Sequence, residues 1–242
     1  MTAERWQMAD DLMAGEESRE RDPDRARHML VEAARLNDVS AMKRLGDLSM
    51  SHEQRRDGAY GDDAKIESED YEKQCLQSYE RATKTGAKST NPSDVKAGKQ
   101  AAKALGDIYM HGKAGKQVDE ARAKTYYQQS GTAESLKALG DIHREGKAGE
   151  PVDEAKAKSY YEKSGTPAAM KAIGDILVEG KGNIGRDKLQ ALGMWSKAAA
   201  AGSEAARLEI ERLKAQVPLS LITSHAFKLR QLLRVIGHGC LP

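Results

Sequence analysis

Apolar residues recur at helical spacing through most of the chain, and polar residues fill the positions between them. The pattern itself returns at a fixed interval of 34 residues, in three segments that share an apolar residue, a glycine, an aspartate and an isoleucine: 105–108, 139–142 and 173–176. A period of this length predicts a solenoid, in which each helical unit buries its apolar face by stacking on its neighbours.

Two anchor positions set the register of five units. The first anchor is a small residue after the leading apolar residue: Ala9, Gly46, Gly106, Gly140 and Gly174. The second is a large apolar or aromatic residue: Leu30, Tyr79, Tyr127, Tyr161 and Trp195. The anchors are 21 residues apart in four units and 33 apart in the second, which therefore carries a 12-residue insertion. The predicted units span about residues 3–38, 39–98, 99–132, 133–166 and 167–202, and a capping helix follows at 203–215.

Each unit is predicted to contain two helices. A glycine inside the first helix costs about 1 kcal/mol relative to alanine, so its recurrence predicts that the paired helix approaches closely there. The second helix is predicted to begin at an aspartate that caps its free amides: Asp22, Asp119, Asp153 or Asp187. A left-handed glycine is predicted to end the first helix: Gly15, Gly112, Gly146 or Gly180. The position of Cys75 corresponds to alanines in the other units, which predicts a packing role for this thiol.

The second unit and the C-terminus depart from this pattern. Extra sequence lies at about residues 50–66 and 86–95, and the latter stretch is turn-rich and polar, which predicts an exposed loop. Residues 216–242 are predicted to form an amphipathic helix and tail, with apolar and basic positions on the segment 219–236. Three interpretations stay open for this segment: a cap on the solenoid, a basic helix for a membrane surface or another protein, and a disordered end.

The order of Leu-Gly, glycine turn, acidic cap, alanine and aromatic pair resembles the Sel-1-like repeat, a relative of the tetratricopeptide repeat. The resemblance is clearest over residues 138–163 and covers about residues 3–215. It implies an all-α fold, a right-handed α/α superhelical solenoid of about five helix-turn-helix repeats with a C-terminal helix. It also implies a scaffold for protein complexes, with no shared catalytic residues.

Composition narrows the functional classes. Acidic and basic residues nearly balance, at 37 and 39, so the net charge of +2 gives no reason to expect nucleic acid as a partner. No apolar run is long enough to span a membrane, and the N-terminal residues do not form a secretory signal. The two cysteines, Cys75 and Cys240, fit a reducing, cytoplasmic setting. Membrane contact, if any, would involve only the C-terminal helix.

Motifs with catalytic or ligand-binding chemistry are weak in this chain. The stretch 40–43 matches Ser-x-x-Lys without its partner motifs, and 106–113 has the wrong glycine spacing for a phosphate loop. Cys240, His225 and His238 lack the spacing of a metal site. We therefore expect no enzyme activity, no metal and no cofactor.

One set of polar residues repeats with the units. An aspartate follows each first anchor, and in four units a lysine precedes it by four residues: Lys43 and Asp47, Lys103 and Asp107, Lys137 and Asp141, Lys171 and Asp175. The candidate partner-binding face consists of the pairs from the third to fifth units, with Tyr109 and His143 as exposed neighbours: Lys103, Asp107, Lys137, Asp141, Lys171 and Asp175. A solvated charge face and a recognition ladder for a mixed-charge peptide are both compatible with the pattern.

The leading functional interpretation is a non-enzymatic, cytoplasmic adaptor or scaffold that binds another protein on its concave face. Two alternatives are a regulatory repeat module of a larger enzyme or signalling system, and a virulence- or envelope-associated repeat protein.

Overall fold

The structure is a computed structural model, and it describes residues 23–56, 63–181 and 184–216. These residues form ten α-helices and no strand, which confirms the predicted all-α fold class. The helices are α1 (Pro23–Arg35), α2 (Val39–Arg56), α3 (Asp63–Gly86), α4 (Pro92–His111), α5 (Glu120–Ser130), α6 (Ala133–Glu145), α7 (Glu154–Ser164), α8 (Pro167–Glu179), α9 (Lys188–Ala200) and α10 (Glu204–Gln216).

The chain divides into two compact units at Thr132 and Ala133. In the first compact unit, the helices α1 to α5 pack in chain order, and α2 also packs on α4, two helices further along the chain. In the second unit, the helices α6 to α10 likewise pack in chain order. Because α2, α4, α6 and α8 carry the glycine anchor, we call them the first helices, and we call α3, α5, α7 and α9 the second helices.

Aspartates cap the second helices as predicted. The carboxylate of Asp119 accepts from the amide of Arg122 at 2.9 Å, Asp153 accepts from Lys156 at 2.9 Å, and Asp187 accepts from two amides of α9. The hydrogen bond from the Lys156 amide holds the pKa of Asp153 below its usual value. Asp22 lies outside the described residues.

Glycines end the first helices in the predicted left-handed conformation. Gly112, Gly146 and Gly180 have φ of 63°, 68° and 59°, a region that side chains with a Cβ rarely adopt. Gly15 lies outside the described residues. The sequence therefore locates both the start of the second helix and the end of the first in the third, fourth and fifth units.

Each first-helix glycine lies under the aromatic anchor of its own unit. A Cβ built on Gly46, Gly106 or Gly140 would lie 2.5–2.8 Å from ring atoms of Tyr79, Tyr127 or Tyr161, and one on Gly174 would collide with Trp195. The predicted close approach is confirmed, with the ring of the paired helix as the approaching group.

The extra sequence of the second repeat lengthens two of the described helices. Relative to the register of α6, α2 continues five residues further and α4 begins seven residues earlier. The predicted exposed loop over 86–95 is wrong at both ends, because Gly86 is buried at the end of α3 and Pro92 begins α4. Asn91 accepts a hydrogen bond from the Ser93 amide, so the residues that suggested a turn are a helix cap followed by proline.

Small residues lie one turn before the aromatic anchors, on the same face of the second helices. The position four residues before the aromatic anchor is fully buried in four repeats, where it holds Cys75, Ala123, Ala157 and Ala191. This burial confirms the packing role of the cysteine. At the end of the second compact unit, three apolar side chains of α10 cover Leu192 and Trp195 of α9. They are Ala206, Ile210 and Leu213. The predicted C-terminal helix and tail lie outside the described residues beyond Gln216.

Candidate functional site

The repeated lysines and aspartates form ion pairs along the first helices. The Lys Nζ to Asp Oδ2 distances are 2.5 Å for Lys43–Asp47, 2.6 Å for Lys103–Asp107 and for Lys137–Asp141, and 2.8 Å for Lys171–Asp175. Each pair joins residues one helical turn apart, so the 3.6-residue period of the helix brings them together. We call these four the Lys–Asp pairs.

The second oxygen of each aspartate holds the aromatic anchor. The hydroxyls of Tyr79, Tyr127 and Tyr161 donate to Oδ1 of Asp47, Asp107 and Asp141 at 2.7, 2.9 and 2.8 Å. In the fifth unit Trp195 replaces tyrosine, and its Nε1 lies 3.1 Å from Asp175 Oδ1 and 3.2 Å from the Lys171 carbonyl oxygen. One carboxylate therefore joins the two helices of a unit and orients a lysine at the surface.

Burial and the neighbouring carboxylate both act on these phenols. Burial, and then the charge and hydrogen bond of Asp47, raise the pKa of Tyr79 far above its usual value. The pKa of Tyr161 is raised in the same way, by burial and then by Asp141. Both phenols are therefore protonated donors over the physiological pH range.

The Lys–Asp pairs remain accessible from one side. The aspartate side chains of the third and fourth units are 34% and 33% exposed, and Asp175 is 18% exposed. The sequence correctly placed lysine and aspartate together on one helix face. It missed the aromatic partner, although the 21-residue spacing between the two anchors in four of the five units carried that signal.

Tyr109 and His143 are buried, so their prediction as exposed neighbours of the face is wrong. Tyr109 stacks on Tyr126 with ring centroids 5.6 Å apart, and His143 stacks on Tyr160 at 5.4 Å. They follow the glycine anchor by three residues, which turns them toward the second helix rather than toward the aspartate side. Their role in this structure is packing between the helices of a unit.

Additional charges extend the Lys–Asp pairs of the second compact unit into a network. Arg144 of α6 reaches α8, where its guanidinium lies 3.1 Å from Glu179 and 3.8 Å from Asp175. Lys171 lies 3.9 Å from Glu209 of α10. Sequence reasoning missed Arg144 and Glu209, because both act between repeats and not within one.

A cleft of about 450 Å³ lies in the first compact unit, between α3 and the turn after α4. Leu76, Tyr109 and Ala114 contribute apolar atoms, and the charged residues around it are Glu72, Lys73, Glu80 and Lys116. The cleft has both signs of charge, and it lies apart from the Lys–Asp pairs that we consider the candidate site.

Among the described residues, no group of three or more His, Cys, Asp or Glu side chains is arranged to hold a metal ion. Cys240, His225 and His238 lie outside them. In the same part of the chain, no helix is both long and apolar enough to cross a bilayer.

Comparison with solved structures finds the same fold. A Sel1 repeat protein from Oxalobacter formigenes has a TM-score of 0.63 and 21% identity, over 96% of this chain and 87% of that chain. A protective antigen of uropathogenic Escherichia coli, c5321, which displays an SLR fold, has 18% identity and a TM-score of 0.45, over 96% of this chain and 53% of that chain. At these identities, the first likeness shows the fold alone. Among curated proteins nothing matches.

Family comparison gives the assignment. The model of the Sel1 repeat matches four segments, which together cover more than half of the chain: residues 6–38, 99–135, 133–166 and 167–203. The second unit, which carries the insertion, lies between the first two matches. Sel1 repeats are generally protein-interaction modules and are typically non-catalytic. The chain belongs to the Sel1 repeat family.

Proposed function

We propose that this protein is a non-enzymatic scaffold or adaptor that binds another protein or peptide through its first helices. The surface proposed is the concave face that the family resemblance implies, and the residues proposed to bind there are the Lys–Asp pairs of α4, α6 and α8. The observation that carries the proposal is the recurrence of these partly exposed pairs in a chain of Sel1 repeats.

The geometry of the pairs supports recognition because the charges are held in place before a partner arrives. Each aspartate is anchored by an aromatic donor from the second helix, so binding would not have to immobilise a free carboxylate. Each lysine is held one turn away by the same carboxylate. Within each repeat, such a fixed pair of acidic and basic groups suits a partner that carries both signs of charge.

The chemistry of the partner follows from the presence of an acidic and a basic group in each Lys–Asp pair. A mixed-charge or amphipathic peptide can place its own acids and bases opposite the pairs, whereas a polyanion would meet an aspartate beside every lysine. We expect salt to weaken such binding only modestly, in contrast to the steep salt dependence of nucleic-acid binding.

The test begins with affinity capture on the full chain, identification of captured proteins by mass spectrometry, and titration of the purified partner. The joint variant Asp107→Asn, Asp141→Asn and Asp175→Asn removes three charges but keeps an oxygen that can accept from the aromatic donors. We expect the partner's affinity to fall by about fivefold or more.

A matched control variant carries Asp119→Asn, Asp153→Asn and Asp187→Asn. Asparagine caps helices about as well as aspartate, so this variant removes the same charge from another surface and keeps the caps. Its affinity should stay close to that of the wild type. If the first variant, still folded by circular dichroism, changed affinity by less than about twofold, the Lys–Asp pairs would be only a solvated face.

A further inference from the structure

The insertion in the second repeat builds a close-packed corner between α3 and α4. A Cβ on Gly86 would lie 2.7 Å from the Cα of Gly98, and a Cβ on Gly98 would lie 2.9 Å from the Cα of Gly86. The two helix backbones therefore touch where α3 ends and the added turns of α4 begin. The short segment from Ala87 to Asn91 connects them.

Four exposed lysines surround this corner: Lys84, Lys88, Lys96 and Lys99. We call these four the basic corner. Between Arg81 and Ala102 the chain has one acidic residue, Asp94, which is half-buried and accepts a hydrogen bond from the hydroxyl of Ser89. The corner is therefore a concentration of positive charge in a protein that is nearly neutral overall.

The lysines of the basic corner are not held in ion pairs in the described part of the chain, although Glu80 lies one turn before Lys84 on α3. Within the described ranges, none of its four ammonium groups lies within ion-pair distance of a carboxylate. Many other lysines of the same ranges do have such a partner: Lys43, Lys103, Lys137, Lys147, Lys156, Lys158, Lys171, Lys181 and Lys214. An anionic partner would relieve the repulsion between like charges that the corner holds together.

We propose that the basic corner binds an acidic segment of a partner protein. Lys96 and Lys99 lie on the same side of α4, one turn apart, and the exposed side chains of Lys84 and Lys88 come from the end of α3 and the connection. The cluster is short and has no exposed aromatic side chain on which a base could stack, so it suits a few carboxylates better than a nucleic-acid strand. The basic corner adjoins the Lys–Asp pair of α4, because Lys99 lies one turn before Lys103, but it contains none of the paired residues and so goes beyond the function proposed above.

Fluorescence anisotropy with the full chain and a labelled deca-glutamate peptide tests the proposal. We expect binding at low ionic strength that weakens as salt is added. The charge-reversal variant Lys96→Glu and Lys99→Glu should lose about tenfold in affinity. A matched control, Lys188→Glu and Lys197→Glu on α9, reverses two exposed lysines elsewhere, and its affinity should stay within about twofold of the wild type.

Three outcomes would overturn the proposal. They are no binding of the peptide at low ionic strength, an equal loss in both variants, and tighter binding of oligothymidylate or phosphatidylserine vesicles than of the peptide through the same lysines. If Lys96→Glu and Lys99→Glu together prevent folding, as judged by circular dichroism, the pair Lys84→Glu and Lys88→Glu carries the test. The Asp→Asn variants of the Lys–Asp pairs leave the basic corner unchanged, so either proposal can fail without the other.

Discussion

At the residue scale, Asp141 shows why glycine and aspartate occur together in the first helix. Gly140 lets the ring of Tyr161 lie against the backbone, and the next residue, Asp141, accepts from the hydroxyl of that ring. With a larger residue at position 140 the ring would move away, and the hydrogen bond would lengthen. The Leu-Gly-Asp sequence is therefore a packing motif. The second carboxylate oxygen of its aspartate pairs with Lys137 and holds that lysine at the surface.

Gly140→Ala tests this packing directly. Alanine favours the helix by about 1 kcal/mol, but its Cβ would lie 2.5 Å from Cε1 of Tyr161. Overpacking costs about 1–3 kcal/mol, so we expect a net loss of stability in thermal denaturation. Gly193→Ala is the matched control, because Gly193 is exposed within α9 and a Cβ there meets nothing within 4 Å. The control should gain stability, and a gain at both positions would contradict the close approach.

The phenol of Tyr161 gives a prediction at alkaline pH. Tyr161→Phe removes a hydrogen bond to a charged group, worth about 1.5 kcal/mol at neutral pH. The pKa of this phenol is raised in the folded protein, so its contribution is complete below the unfolded value of about 10 and is lost as pH rises above it. Denaturant unfolding should therefore show that wild-type stability falls more steeply above pH 10 than that of the variant, by about 1.4 kcal/mol per pH unit.

Tyr160→Phe is the control for this measurement. The hydroxyl of Tyr160 makes no hydrogen bond to the residues that the structure describes, although its ring stacks on His143. The stability of the Tyr160→Phe variant should change with pH above 10 in the same way as that of the wild type. Parallel curves for wild type and Tyr161→Phe would contradict a buried, hydrogen-bonded phenol at position 161.

At the element scale, local signals predicted most helix boundaries. Aspartate at a helix start and glycine at a helix end act through neighbouring backbone groups, so spacing alone located them in the third to fifth units. The insertion was different, because Asn91 and Pro92 occur in turns and in helix starts alike. The Gly86–Gly98 contact, which decides between them, lies between two helices and leaves no local pattern.

The candidate site could be predicted only in part, for a related reason. Lysine and aspartate four residues apart on one helix must be neighbours, and they are. Exposure of Tyr109 and His143 depends on where the second helix crosses the first, which the 3.6-residue period does not specify. Arg144 reaches across to Glu179 of the next repeat, a contact set by how repeats stack.

Helix α10 is the element whose removal should be most damaging. Its Ile210 and Leu213 are 4% exposed and cover Trp195 and Leu192. Burial of a large aliphatic side chain contributes about 1.5–3 kcal/mol, so a chain that ends at Ser203 should lose about 3 kcal/mol or more. Thermal denaturation should show an earlier transition, and exposed apolar surface should promote aggregation.

A chain that ends at Gln216 keeps α10 and separates the interpretations of the segment beyond it. If residues 217–242 also cap the solenoid, this variant should melt earlier than the full chain. If melting is unchanged but binding to liposomes or to the captured partner disappears, the amphipathic-helix interpretation holds. An unchanged melting temperature in the chain that ends at Ser203 would contradict the packing role of α10.

At the scale of the whole molecule, the net charge is only +2, but the protein carries two kinds of charged surface. The Lys–Asp pairs alternate in sign and are held by aromatic anchors, whereas the basic corner is unpaired within the described residues. The first suits a mixed-charge partner and the second an acidic segment. The central claim concerns the first surface, the one that recurs with the Sel1 repeats.

Carboxylate footprinting with the captured partner tests that claim most directly. Carbodiimide coupling labels accessible aspartates, and Asp107 and Asp141 are 34% and 33% exposed, close to the 38% and 32% of the capping residues Asp119 and Asp153. We predict that adding the partner lowers labelling at Asp107 and Asp141 and leaves Asp119 and Asp153 unchanged. Unchanged labelling at Asp107 and Asp141, with protection at Asp119 and Asp153, would contradict recognition through the first helices.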